Sequence, residues 1–198
     1  MKTKPLLIPD RDFEAYLYDC DGTLADTMEA HIEAWVQELM ERGLQIDGSL
    51  IHELAGMPAV QTVEVMNTRF KVSLDPEEVA QAKEERFYQG YLHRIRPIPA
   101  VCEDLIRRAK EGKRIAVVSG GRTRIVKKTL EILNLAPWVQ VVICAEDVKQ
   151  GKPHPEPFLL AAKGLGVKPE DCLVFEDADF GFRSASAAGM LYVKVERA

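Results

Sequence analysis

An α/β fold built on a parallel sheet is the architecture this sequence predicts, and three observations predict it. Short apolar runs ("RIAVVS", "VQVVICA", "DCLVFE" and "MLYVKV") alternate with helix-length amphipathic stretches through the second half of the chain. Such alternation marks strand–helix–strand units whose sheet is covered on both faces. One more strand-like run, residues 13–19, stands apart from the others, and residues 25–94 between them read as helix and loop only.

Taken in order, the strand at 13–19 is followed by a helix capped at Asp26 or Thr27. Met28, Ile32, Trp35, Val36, Leu39 and Met40 trace one face of it, and Gly43 ends it. Ser49 caps a short helix that stops at Gly56, and a further helix runs from Pro58 to about Phe70. In "SLDPEEV", Asp75 as cap, Pro76 in the first turn and Glu78 three residues after the cap predict a helix reaching about His93. After "RPIPA" come a helix over 100–111, the strand "RIAVVS", Gly120-Gly121 and a helix over 122–133. The strand "VQVVICA", a proline-punctuated loop, a helix around 157–165, the strand "DCLVFE", the small-residue helix "GFRSASAAG" and the strand "MLYVKV" complete the chain. The expected organisation is a Rossmann-like parallel-sheet core, residues 1–24 and 95–198, with a helical cap, residues 25–94, inserted after the first strand. Ligands of open parallel sheets bind beyond the carboxyl ends of the strands. The insertion leaves from that edge and can cover it as a lid.

Composition narrows the function classes. The chain has 198 residues, 46% apolar and 29% charged, a usual globular mixture. A net charge of -5 argues against a nucleic-acid binder. No apolar run is long enough to span a membrane, and "MKTKPLLIPDRD" has too short an apolar core for a signal peptide. A cytoplasmic location is therefore expected, with a monomer as the default. Cys20, Cys102, Cys144 and Cys172 are far apart without a CxxC pair, so buried free thiols are expected over disulfides or zinc.

Candidate functional residues sit just past the strands. The first strand gives Asp19 and Asp21, the second Ser119 followed by two glycines, and the fourth Glu176 and Asp177; the loop after the third carries Lys152. Singly, each has an ordinary reading as a solvated turn, a sharp bend or a surface charge. Jointly they lie on one rim. Four carboxylates in a small space repel one another, which a hard divalent cation relieves, and an all-oxygen site with several waters suits Mg²⁺. Metal and Lys152 would offset an incoming phosphate dianion, while Ser119 and the N–H groups around Gly120 and Gly121 would donate to its oxygens. One aspartate can then attack phosphorus to give an aspartyl-phosphate. A second acid protonates the leaving oxygen and later takes a proton from water. Residues i and i+2 of an extended chain point the same way, so Asp19 and Asp21 share a side and Cys20 points away.

"DCDGTLADT", "VVSGG", "GKPHPEPF" and "FEDADFG" resemble, in order, the four motifs of the haloacid dehalogenase-like hydrolase superfamily, over about residues 13–195. The resemblance implies Asp19 as nucleophile and Asp21 as acid/base, with the Asp21 backbone carbonyl rather than its carboxylate on the metal. It implies Ser119 and Lys152 as phosphate holders and Asp177, with Glu176 beside it, completing the Mg²⁺ site. Within the superfamily the chain is most similar to the sugar-phosphatase and β-phosphoglucomutase branch, and "EDADFGFRSASAAGM" is similar to the fructose-1-phosphate phosphatase type. His31 is either a helix-surface histidine or, as the branch implies, a partner of Asp21 under the hinge. "HELAGMPAV" matches the cap loop that dips into the site, with Gly56 at a tight turn. Mutases place an arginine after this glycine to grip a second phosphate, where this chain has Met57, Pro58 and Ala59. His52 and Arg122 are open between substrate contact and plain surface roles, and His93 and His154 have no special claim. A Mg²⁺-dependent phosphatase acting on a small phosphate ester, that of a sugar, is the expectation; a phosphomutase and a non-catalytic binding protein on the same fold are its alternatives.

Overall fold

Five strands, β1 (Ala15–Tyr18), β2 (Arg114–Val118), β3 (Val141–Ile143), β4 (Cys172–Glu176) and β5 (Leu191–Lys194), form one sheet in the order β3-β2-β1-β4-β5. Every pairing is parallel, and Tyr18 stands beside Val117 on one side and Phe175 on the other. This is a computed structural model that describes residues 5–196. Met1–Lys4, where the signal-peptide reading begins, lie outside the described residues. β3 is shorter than the run "VQVVICA" suggests, because Cys144 turns the chain into a short 3₁₀ segment at Ala145–Asp147.

Four helices lie between β1 and the next core helix: α1 (Met28–Glu41), α2 (Gly48–Glu53), α3 (Ala59–Phe70) and α4 (Pro76–Gly90). They pack around Trp35, Leu39, Leu50, Val63, Met66 and Val79. Met40 does not belong to the buried face of α1; it is 53% exposed, and Ala34 and Glu38 are buried instead. The face is rotated because Glu38 accepts from Arg42 at 2.8 Å and from Arg86 at 3.1 Å, which lets a charged residue sit inside. The cap of α2 is Asp47, which accepts from the Ser49 N–H at 2.7 Å, rather than Ser49 itself. At α4 the expected Asp75 cap forms, accepting from the Glu78 N–H at 3.0 Å, while the Glu78 carboxylate bonds Arg42.

The helices α5 (Pro99–Lys110) and α6 (Thr123–Ile132) cover one face of the sheet, and α7 (Glu156–Leu165) and α8 (Asp179–Ala187) the other. The period of two in a strand sorts the side chains: Tyr16 and Tyr18 join Leu105, Val126 and Phe175 on one face. Ala15 and Leu17 join Val118, Phe158 and Ala185 on the other. The buried Tyr18 hydroxyl donates to Asp104 at 2.9 Å, and Arg108 donates to the same oxygen at 2.8 Å. All four cysteines are free and buried. The chain winds from β1 outward through β2 to β3, then crosses to β4 and β5 on the other side. The direction of winding therefore switches between β1 and β4, where the carboxyl ends of those strands leave a crevice.

Candidate active site

The two strands that flank the switch point end in the acids singled out by sequence. Asp19 continues the β1 ladder, its N–H donating to Phe175 O at 2.9 Å. Its carboxylate is buried and accepts from Lys152 Nζ at 2.7 Å. Lys152 also donates to Glu176 Oε2 at 2.7 Å and to Val118 O at 3.0 Å, so its three ammonium protons have three acceptors. The residue that reads as a loop lysine is 2% exposed and lies beneath the rim. Burial works against its charge, but Asp19 and Glu176 overcome that and hold its pKa above the ordinary value. Asp19 is pushed well above the usual carboxylate range, first by burial and then by Glu176, with Lys152 pulling it down.

Two buried carboxylates share one ammonium here, and a third acid is close. Oxygens of Asp19, Glu176 and Asp177 lie within 4.8 Å of one another. An excess of negative charge on hard oxygen donors, in a partly buried crevice, fits a hard divalent cation. Glu176 is tied down on both oxygens: Oε2 holds Lys152, and Oε1 accepts from the N–H groups of Asp177 and Ala178 at 3.1 and 3.2 Å. The bend that frees this space is made by Gly22, at φ +90°, whose N–H donates to Ala25 O at 2.7 Å. A Cβ at Gly22 would lie 2.0 Å from Asp177 Oδ2, so only glycine fits. Thr23 Oγ1 donates to Asp177 Oδ1 at 3.2 Å.

Asp21 faces a separate set of donors. Its Oδ1 accepts from Thr27 Oγ1 at 2.6 Å and pairs with His31 Nε2 at 3.1 Å. Lys83 Nζ lies 2.9 Å from His31 Nδ1. An ammonium can only donate, so Nδ1 accepts, and the ring proton sits on Nε2 and is given to Asp21. The imidazole stacks on Phe87, with centroids 3.9 Å apart, and Lys83 lies near the rings of Trp35 and Phe87. Burial, then Lys83, lowers the His31 pKa and keeps the ring neutral. Burial also lowers Lys83, to about 8, against the pull of Glu84 and Asp21. Burial alone would raise Asp21, yet His31, Thr27 and Lys83 bring it to about 2. At the low pH where Asp21 takes up its proton His31 is itself protonated, so its charge is the largest part of that pull.

Ser119 is buried at the end of β2, and its Oγ accepts from the Gly121 N–H at 3.0 Å. Gly56, at φ +84°, brings the α2–α3 loop down onto this rim. A Cβ on Gly56 would lie 3.3 Å from Ala178, and one on Gly120 would lie 3.3 Å from Gly56 O. The result is a cavity of about 110 Å³ between sheet and helices. Asp19, Asp21, Ser119, Gly120, Glu176 and Asp177 line one side; Met28, His31, Leu54, Met57, Ala59 and Lys83 line the other.

Sequence reasoning places Asp19, Asp21, Ser119, Gly120, Glu176, Asp177 and Gly56 in one site and leaves His31 open between the helix surface and Asp21; the structure brings them together, His31 included, around this cavity, with Lys152 beneath it. His52 is exposed and lies outside the cavity lining. Arg122 pairs with Glu84 at 2.5 Å and approaches Glu77 at 3.7 Å. Two contributors were not anticipated. Thr27 stands at the cap position of α1, but its hydroxyl serves Asp21 instead of the helix. Lys83 occupies the buried stripe of α4 with Val79, Ala80 and Phe87; a lysine at i+4 from one apolar anchor and i-4 from the next is the signal that marks it.

Comparison with known proteins agrees with this geometry. The haloacid dehalogenase-like hydrolases match residues 16–195, and the chain belongs to that family. Fructose-1-phosphate phosphatase YqaB of Escherichia coli (strain K12) is 36% identical over 92% of this chain and 96% of its own length. Hexitol phosphatase A of the same organism is 30% identical over 92% of this chain and 82% of its own length. The crystal structure of β-phosphoglucomutase from Clostridium difficile superposes with a TM-score of 0.80 at 27% identity, covering 91% of this chain and 83% of that one. The protein is a phosphoric monoester hydrolase of this family.

Proposed function

We propose that the protein hydrolyses the phosphate ester of a small sugar or polyol through an aspartyl-phosphate on Asp19. The observation that carries this is the separation of two acids one residue apart: Asp19 is held by Lys152 at the switch point, and Asp21 by Thr27 and His31. An Asp19 oxygen attacks phosphorus, the ester P–O bond breaks, and the leaving oxygen takes a proton from Asp21. Water then attacks the phosphoryl group, Asp21 takes the water's proton, orthophosphate leaves and the Asp19 carboxylate returns. A pKa of about 2 keeps Asp21 ionised in the free enzyme, the form that can accept the proton from water. The charge of a bound phosphate favours the protonated form needed for the acid half. The Ser119 hydroxyl and the Gly120 N–H hold the phosphate, since the Ser119 and Gly121 N–H groups already donate to Ile143 O and Ser119 Oγ, and Lys152 balances its charge.

Asp19 and Asp177, with the Asp21 backbone carbonyl, are the residues that would hold Mg²⁺, while Glu176 fixes Lys152 and the start of α8. The cation would neutralise the excess negative charge of the crevice and polarise the phosphoryl group. The helical insertion acts as a cap, closing over a cavity sized for a small ester. Names of relatives, a fructose-1-phosphate phosphatase and a hexitol phosphatase, support a sugar or polyol phosphate. Incubation with a panel of phosphosugars and Mg²⁺ is expected to release orthophosphate, and chelation by EDTA to stop it. Isomerisation without phosphate release, dependent on a bisphosphate primer, would establish the mutase reading instead.

Lys83 positions the proton-handling acid through His31. A lysine depressed in the fold adds stability above its unfolded pKa and loses it as pH falls through about 8. At neutral pH its burial is therefore a cost. Lys83→Met fills the same space between Trp35 and Phe87 without the charge. It should stabilise the protein at pH 7 by on the order of 2 kcal/mol, and less at pH 10.5. At the same time kcat should fall about tenfold to a hundredfold, because His31 is no longer fixed as the Nε2–H tautomer. Thermal melts at both pH values and steady-state kinetics check the two halves separately.

A further inference from the structure

The helical wall of the cavity contributes one carboxylate, Glu84, which the hydrolytic cycle does not use. Glu84 also lines the cleft that adjoins the cavity, and the two spaces share Ala59, Ser119 and Gly120 as walls. Its Oε2 lies 2.5 Å from Arg122 Nε, with side chains 12% and 37% exposed respectively. Arg122 stands at the start of α6, one residue past Gly121, so this pair joins the sheet rim to the cap above the phosphate position. Two more acids face the same guanidinium neighbourhood. Glu77 is 3.7 Å from Arg122, and Glu146 across the cleft accepts from the Thr123 N–H at 3.0 Å.

An arginine beside a phosphate site is the natural receptor for a second phosphate, because its planar fork matches the anion's oxygens. Here one nitrogen of the fork, Nε, is already paired with Glu84, and Nη2 faces Glu77 at 3.7 Å. A sugar hydroxyl can donate to Glu84, but a second anion there would meet its charge and find Arg122 occupied. We propose that Glu84 is a specificity-determining residue that restricts the site to esters whose distal end is uncharged. It does so by holding Arg122 and keeping its own charge at the wall, which excludes bisphosphates and phosphorylated carboxylates. This rests on the reading of the cavity as the site of a small phosphate ester. Burial raises the Glu84 carboxyl, with Arg122 and Lys83 pulling it down, so pH 8 is the condition at which its charge is tested.

The test compares kcat/KM for a hexose 1-phosphate and the matching 1,6-bisphosphate in wild type, Glu84→Gln and Arg122→Gln, with p-nitrophenyl phosphate as a substrate lacking a distal group. Glu84→Gln frees the fork and removes the charge, and should shift the ratio toward the bisphosphate by roughly tenfold or more. Arg122→Gln leaves Lys83 as the remaining cation to offset Glu84 and should shift it the opposite way. A residue that merely joins cap to core would move both variants together. An unchanged ratio in Glu84→Gln, or shifts of one sign in both variants, overturns the inference while p-nitrophenyl phosphate turnover upholds the reading of the site. Wild type inert toward all three substrates would overturn both.

Discussion

Lys152→Met should cost about 3–5 kcal/mol of stability and lower kcat by roughly a thousandfold. The two effects share a cause. Lys152 is the cation between Asp19 and Glu176, 2.7 Å from each, and its third proton goes to Val118 O. Methionine fills the channel but leaves two buried carboxylates facing each other. Asp19, already raised by burial and by Glu176, then loses the pull of Lys152 that holds it down. A carboxyl raised in the fold contributes stability below its unfolded pKa and loses it as pH rises through the folded value. The deficit of the variant should therefore be larger at pH 8 than at pH 5, measured by denaturant melts of metal-free protein. A deficit independent of pH would mean that packing, not charge, holds this lysine in place.

That lysine shows where the sequence is readable and where it stops. "GKPHPEPF" marks Lys152 by its neighbours, yet nothing in the run says that the side chain turns inward, because its acceptors lie on strands 133 and 24 residues away in the chain. The sheet was easier. Continuous apolar runs such as "LVF" identify strands buried on both faces, and the acids that follow them end on one rim because all the strands are parallel. The order β3-β2-β1-β4-β5 is not contained in any local run; it follows from how the connections pack. In the helical insertion, a strict apolar face misplaced Met40, since Glu38 is paired with two arginines that are distant from it or follow it by a turn. Thr27 reads as a helix cap by position, but a stronger acceptor, Asp21, lies within its reach. Charged and hydroxyl side chains choose partners across the fold, whereas apolar ones answer mainly to period. This is why the core was legible and two supports of Asp21, Thr27 and Lys83, were not.

Asp19→Asn gives the opposite pairing of effects from Lys152→Met and so separates chemistry from scaffolding. Asparagine cannot form the aspartyl-phosphate, and turnover should fall by on the order of 10⁵ or more, as for the loss of a catalytic nucleophile. Stability should not fall. Asp19 is raised well above its ordinary range by burial and by Glu176, so the fold works against its ionised form. By the same linkage, stability linked to Asp19 is present below its unfolded pKa and lost as pH rises through the folded one. The amide removes that loss, its oxygen can still accept from Lys152, and Glu176 remains to neutralise the ammonium. Metal-free Asp19→Asn should therefore melt no lower than wild type at pH 7, and higher at pH 8. Added Mg²⁺ should raise the melting temperature of wild type more than that of the variant, because a cation stabilises the fold only as far as it is bound. A variant that is both inactive and less stable would place Asp19 in the scaffold; one that retains turnover would remove it from the chemistry. The combination of no turnover with undiminished stability is the signature of a group placed for reaction at the expense of the fold.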